Sequence, residues 1–177
     1  MRKQTLVWNL AGFLWTVAAG TALHFVFAWS GESSFAAGFS AVNESTWEHM
    51  KLLFFPMFLF SMVELCVQGR NYSNFTAVRA LSTALGVALI PVLFYTYTGI
   101  CGGHRLWADI AVFVLAALGA FSLDFYLLRR GTFSARWMQV AGLAALWALA
   151  FLFVYFTFHP PLLPLWRDPV TLGYGLS

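Results

Sequence analysis

The chain has 177 residues, of which 60% are hydrophobic, 19% are aromatic and only 10% are charged. Because soluble domains carry about 25% charged residues, this composition excludes an ordinary soluble domain. It indicates an integral membrane protein, whose expected partner is the lipid bilayer. The net charge of +3 is too small to indicate a nucleic-acid partner. Cys66 and Cys101 form no cysteine-rich metal pattern, and no disulfide is expected because they fall near opposite membrane faces.

Five apolar segments follow one another, each of about the length that crosses a bilayer. They are residues 4–29, 45–67, 75–98, 107–128 and 136–158. The first could pass for a signal peptide, but its apolar run continues to Trp29 without a polar cleavage region, so we interpret it as a retained helix. The sequence therefore predicts an all-α integral membrane protein, with one five-helix bundle accounting for residues 1–177.

Basic residues in the short loops predict the orientation of the bundle. Seven fall on the N-terminal side of the membrane (Arg2, Lys3, Arg70, Arg79, Arg129, Arg130, Arg136) and two on the other side (Arg105, Arg167). Because short loops rich in lysine and arginine stay in the cytoplasm, we expect a multi-pass protein of the cytoplasmic membrane. Its N terminus is then cytoplasmic and its C terminus lies outside.

Small residues repeat every four positions along the first span. The row consists of Gly12, Thr16, Gly20, His24 and Ala28. Such rows let helix backbones approach closely, so His24 is expected to face another helix instead of lipid. In the second span, Pro56 has no amide proton, which leaves the carbonyl of Leu52 without its helical donor.

The stretch AVNESTWEHMKLLFF, residues 41–55, places ionisable groups at the outer start of the second span. At about 100° per residue, Glu44, Glu48 and Lys51 share one helical stripe, and Ser45 and His49 form a second stripe. All four histidines of the chain fall in the same outer half: His24, His49, His104 and His159. Since the spacing differs from that of zinc proteases, a metal ion would need ligands from several helices.

Three interpretations of this cluster remain open. In the structural one, Ser45 caps the helix, Glu48 reaches back to the Ser45 amide as a capping box, and Lys51 pairs with an acid. The protein would then be a structural or assembly subunit. Near the inner side, Glu64 and Asp124 are expected to pair with arginines.

The other two interpretations are functional, because ionisable groups at membrane depth are costly and usually face a cavity. In the leading one, an outer-facing pocket binds a small molecule, a lipid headgroup or an ion, with these contact residues: Glu44, Ser45, Lys51 and Asp109. Its walls come from spans one, two, four and five. The alternative is a metal-dependent membrane hydrolase, in which His24, His49 and either Glu44 or His159 hold zinc and Glu48 is the general base. An oligomer is compatible with both.

The last segment, HPPLLPLWRDPVTLGYGLS at 159–177, contains four prolines and cannot continue the helix. Its leucines and aromatic residues are too apolar for a free tail in water. We interpret it as an ordered strap over the outer end of the bundle, above the ionisable cluster. A segment lying flat at the membrane interface is the alternative.

Two stretches carry a family resemblance: NESTWEHMKLLFFP at 43–56 and PPLLPLWRDPVTLGYG at 160–175. Their patterns, N-E-S-x-W-E-H-x-K and PPxxPLxxDPxT, resemble those of a family of small multi-pass bacterial membrane proteins of unknown function. The resemblance covers essentially the whole chain and implies a membrane bundle, but no activity or cofactor. The chain departs from the pattern at Trp166 and Leu172, where phenylalanine and glycine are expected.

Overall fold

Helices account for nearly all of the regular structure in the computed structural model, which describes residues 2–176. The α-helices are α1 (Arg2–Trp29), α2 (Ser34–Ala37), α3 (Thr46–Gln68), α4 (Phe75–Cys101), α5 (Leu106–Leu128) and α6 (Arg136–Phe158), with 3-10 turns at Gly69–Asn71 and Pro164–Trp166. No strand occurs among these residues. Met1 and Ser177, the ends of the predicted bundle and strap, lie outside the described residues.

Five helices, α1 and α3 to α6, are long and apolar enough to cross a membrane. The prediction of an all-α chain with five spans is therefore confirmed. The third span continues past its predicted end at residue 98 to Cys101, because the helix is closed by Gly102 at φ 72° and not by Gly99. This left-handed conformation is one that glycine adopts without a steric penalty.

Helix α3 occupies the centre of the bundle and is the most buried of the five spans. It packs against α1, α4 and α6, while α5 closes the arrangement by packing against α1 and α4. Successive spans run in opposite directions, so the end of α1, the start of α3, the α4–α5 loop and the end of α6 meet at one end of the bundle. We call it the histidine end, and the opposite end the arginine end.

The small-residue row of α1 lies against its neighbours from Gly12 to His24, as predicted, whereas Ala28 at its end is exposed. A Cβ placed on Gly12 would stand 2.6 Å from the ring of Phe60. One placed on Gly20 would stand 2.7 Å from the carbonyl oxygen of Leu52, the acceptor that Pro56 leaves without a helical donor. Glycine at position 20 therefore lets α1 approach α3 closely at the point where Pro56 interrupts the backbone hydrogen bonds of α3.

Three charged side chains near the arginine end are buried and paired, as the sequence predicted for its inner acids. Arg79 is fully buried and forms ion pairs with Glu64 of α3 and with Asp124 of α5, the latter with 3.4 Å between Nε and Oδ1. Gln68 donates to Glu64 at 2.5 Å from the next turn of α3. An unpaired buried charge is strongly unfavourable. These contacts therefore hold α3, α4 and α5 together near the arginine end.

The C-terminal segment packs over the start of α3. Trp166 stacks on Trp47 with ring centroids 4.8 Å apart. Asn43 donates its side-chain amide to the carbonyl of Gly175 at 2.8 Å, and Asp168 is buried. The segment thus lies across the histidine end and covers part of the site described next.

Candidate functional site

The first turn of α3 is fixed by a side-chain cap. Ser45 has extended backbone angles and its hydroxyl accepts from the amide of Glu48 at 3.4 Å, as predicted. The second half of the predicted capping box is wrong, however. The amide of Ser45 donates to the side chain of Asn43 at 2.9 Å, and the Glu48 carboxylate instead accepts from the amide of Val42 at 3.2 Å.

Glu48 and Lys51 form an ion pair in the interior of the bundle, 2.5 Å apart. Both side chains are buried, with 2% and 0% of their surface exposed. The ammonium group also donates to the carbonyl of Ala37 and to the hydroxyl of Thr157, each at 2.8 Å, so all three of its protons are used. This network joins α2, α3 and α6.

The placement of Glu48 bears on its suggested role as a general base. Its carboxylate is occupied by the Lys51 ammonium and the Val42 amide, and it does not line the cavity described below. A base must reach the proton that it accepts, so this placement favours a structural role for Glu48. Thr157, which completes the network, was missed in the sequence. Its only signal was a small hydroxyl side chain among the aromatic residues of the last turn of α6.

Three other residues converge at the histidine end. The Nε2 atoms of His24 and His49 each lie 3.6 Å from a different carboxylate oxygen of Glu44. The rings of the two histidines are 5.6 Å apart. His24 thus faces α3, as predicted from the small-residue row.

The prediction that Glu44 shares a helical stripe with Glu48 and Lys51 is wrong. Glu44 precedes the cap residue Ser45, so its backbone is not helical and the 100° periodicity does not apply to it. Its side chain consequently contacts His49 and not Lys51. The acid–lysine stripe therefore contains only Glu48 and Lys51. The Glu44 carboxylate lies instead beside His49, on the side of the second stripe.

His49 has a defined orientation. Its Nδ1 lies 2.9 Å from the carbonyl oxygen of Ser45, one turn back. Because a carbonyl only accepts, the proton of this hydrogen bond belongs to Nδ1. The other ring nitrogen, Nε2, therefore presents its lone pair toward Glu44 when the ring is neutral.

His159 lies apart from these three residues. Its ring stacks on Tyr155 with centroids 4.8 Å apart, and its Nδ1 lies 3.3 Å from the Tyr155 carbonyl. The cluster of possible metal ligands found among the described residues contains His24, Glu44 and His49. Of the two residues offered as a third zinc ligand, the structure thus brings only Glu44 to the two histidines.

A second acid–histidine pair lies across from the first. Asp109, in the first turn of α5, accepts a hydrogen bond from the hydroxyl of Tyr97, and His104 Nδ1 lies 3.3 Å from its other oxygen. The amide of Arg105 donates to the same tyrosine at 3.2 Å. Tyr97 was not identified from the sequence, because a tyrosine near a span end is ordinary there.

A cavity of about 260 Å³ separates the two acid–histidine pairs. Its polar lining residues are Glu44, Thr46, His49, His104 and Asp109, and its apolar ones are Ile90, Phe94, Leu106, Val112, Phe113, Pro169 and Val170. The walls are therefore α3 with its preceding loop, α4, α5 and the C-terminal segment. Spans one and five, which the sequence assigned to the walls, contribute no lining residue, and neither do Ser45 and Lys51.

Five long apolar helices packed around an apolar core define the class: the chain is a multi-pass helical membrane protein. It belongs to the family described as a family of unknown function (DUF6512), whose model matches residues 1–176. No curated protein and no solved structure matches the chain.

Proposed function

We propose that the chain is a binding protein of the cytoplasmic membrane that takes a small amphiphile with a cationic or hydrogen-bond-donating head into the cavity at its histidine end. The observation that carries the proposal is the lining of that cavity, since seven of its twelve residues are apolar. Ligand sites are typically mostly apolar, with a few polar groups that fix orientation.

The polar groups of the rim are mainly acceptors. Glu44 and Asp109 contribute carboxylates on opposite sides. His49 and His104 each direct Nδ1 at an oxygen, which leaves Nε2 of a neutral ring as an acceptor. An ammonium or a similar donor head satisfies such a rim, whereas a carboxylate head adds like charge.

Titration of the purified protein with octylamine, octanol and octanoate tests this proposal. We expect saturable binding of octylamine, weaker binding of octanol and none of octanoate. Val112→Phe, which fills the cavity from α5, should abolish the saturable component. Val140→Phe adds the same volume on the exposed face of α6 and should leave it unchanged. Equal binding in both variants, or partitioning that never saturates, contradicts the proposal.

The proposed orientation has the arginine end in the cytoplasm and the histidine end outside. Support comes from the excess of arginine and lysine in loops at the former end. In a chain lacking Cys66 and Cys101, we expect Gly103→Cys to react with a membrane-impermeant thiol reagent on intact cells. Ser73→Cys should react only after the cells are opened, and the reverse pattern contradicts the orientation.

A further inference from the structure

We propose that His24, Glu44 and His49 bind one divalent transition-metal ion, with zinc as the ion that their chemistry fits best. The three residues come from α1, from the loop before α3 and from the first turn of α3. Each offers one ligand atom, and these atoms lie within 4.8 Å of one another. This inference goes beyond the amphiphile pocket, because it concerns an ion held by these three side chains, although Glu44 and His49 also line the pocket.

The distances fit shared ligation better than direct pairing. Each imidazole Nε2 stands 3.6 Å from a Glu44 oxygen, which exceeds the usual hydrogen-bond range of about 2.7–3.2 Å. Nitrogen and oxygen ligands lie about 2.0–2.2 Å from zinc, so two of them around a tetrahedral ion stand roughly 3.3 Å apart. Small rotations of these side chains therefore suffice to enclose an ion.

His49 is already oriented as a metal ligand. Its Nδ1 proton is held by the Ser45 carbonyl at 2.9 Å, and its Nε2 points at the cluster. Histidine ligands commonly donate their second ring proton to a carbonyl or carboxylate, which fixes the tautomer and the ring orientation. The cap residue of α3 thus positions the ligand one turn later.

The ligand set selects the class of ion. Two imidazoles and one carboxylate suit zinc and its neighbours in the first transition row, whereas calcium and magnesium prefer all-oxygen sites. Three protein ligands leave a fourth position open, unlike the closed structural zinc sites. Glu44 and His49 also line the cavity, so the open position lies at the cavity rim. The three side chains are 29–49% exposed, which gives the ion access from water.

Cobalt titration of the chelator-treated protein tests the site, because bound cobalt reports its own coordination by visible absorption. We expect one equivalent of Co²⁺, an intense absorption typical of four or five ligands, and displacement by Zn²⁺. His24→Ala, Glu44→Gln and His49→Ala should each weaken cobalt binding by at least tenfold. Glu44→Gln is nearly isosteric, so its result stays readable if a histidine variant folds poorly.

Two histidines at the same end serve as matched controls. His159→Ala and His104→Ala should retain the cobalt spectrum and bind within twofold of the original protein. The inference is overturned if no stoichiometric cobalt binding occurs, if the cluster variants bind as well as the original chain, or if His104→Ala weakens binding as much as they do. Octylamine titration of the metal-free protein tests the amphiphile pocket without any metal ion. Its outcome does not depend on the cobalt result, so the two proposals can fail separately.

Discussion

The buried Lys51 ammonium offers the sharpest test of how the histidine end is held together. Lys51→Met keeps a long unbranched side chain but removes the partner of the Glu48 carboxylate. It also frees the Ala37 carbonyl and the Thr157 hydroxyl, each of which accepts from the ammonium at 2.8 Å. The substitution therefore leaves a charge and two polar groups in the interior without their main partner.

The magnitude follows from what remains around Glu48. Breaking a buried ion pair by removing one member destabilises a protein by about 3–5 kcal/mol. Glu48 still accepts from the Val42 amide at 3.2 Å and lies 3.3 Å from the Thr157 hydroxyl, so the lower part of that range applies. We expect the free energy of unfolding to fall by about 3 kcal/mol.

A double-mutant cycle separates the charge from the packing. Glu48→Met alone leaves the Lys51 ammonium buried and should be as damaging as Lys51→Met. The double variant removes both charges and should lose no more than either single variant, since an apolar replacement of a buried pair is often neutral. Unfolding can be followed by circular dichroism in mixed micelles with increasing denaturing detergent.

Two results would refute the reasoning. Lys51→Met could lose less than about 1 kcal/mol, which is the range of exposed ion pairs. Alternatively, the double variant could lose the sum of the two single losses, which would mean that the two residues do not interact.

Three further substitutions have expected outcomes elsewhere in the bundle. Arg79→Leu strands two buried acids and should lower the free energy of unfolding by about 3–5 kcal/mol in the same assay. Gly20→Ala places a Cβ 2.7 Å from the Leu52 carbonyl oxygen and should lower it by about 1–3 kcal/mol. Trp166→Ala removes the stacking on Trp47, worth about 0.5–1.5 kcal/mol, and should speed hydrogen exchange across 160–176.

Each of these has a control of matched chemistry. Arg129→Leu removes an exposed arginine, and a loss as large as that of Arg79→Leu would argue against the buried network. Gly99→Ala adds a Cβ that meets nothing within 4 Å and should be neutral or stabilising. Leu162 is 78% exposed, so Leu162→Ala should leave exchange in the C-terminal segment unchanged.

Periodicity and composition by themselves determined the membrane class, the five spans and the inward face of α1. These features depend on properties that are local in sequence, such as apolar length and the four-residue spacing of small side chains. The same holds for the Ser45 cap, because its partner Glu48 lies three residues away. The resemblance to a membrane-protein family of unknown function likewise rested on two contiguous stretches of sequence.

The composition of the site was decided only by the tertiary structure. Glu44 lies in the irregular backbone that precedes the cap residue Ser45, and from there its side chain contacts the two histidines instead of Lys51. His159 likewise lies apart from the cluster and stacks on Tyr155, although the sequence placed it in the same outer half of the bundle. Depth can be read from the sequence, whereas the rotation of each helix and the path of each loop depend on packing between distant segments. Those distant contacts bring His24 to His49 and Thr157 to Lys51.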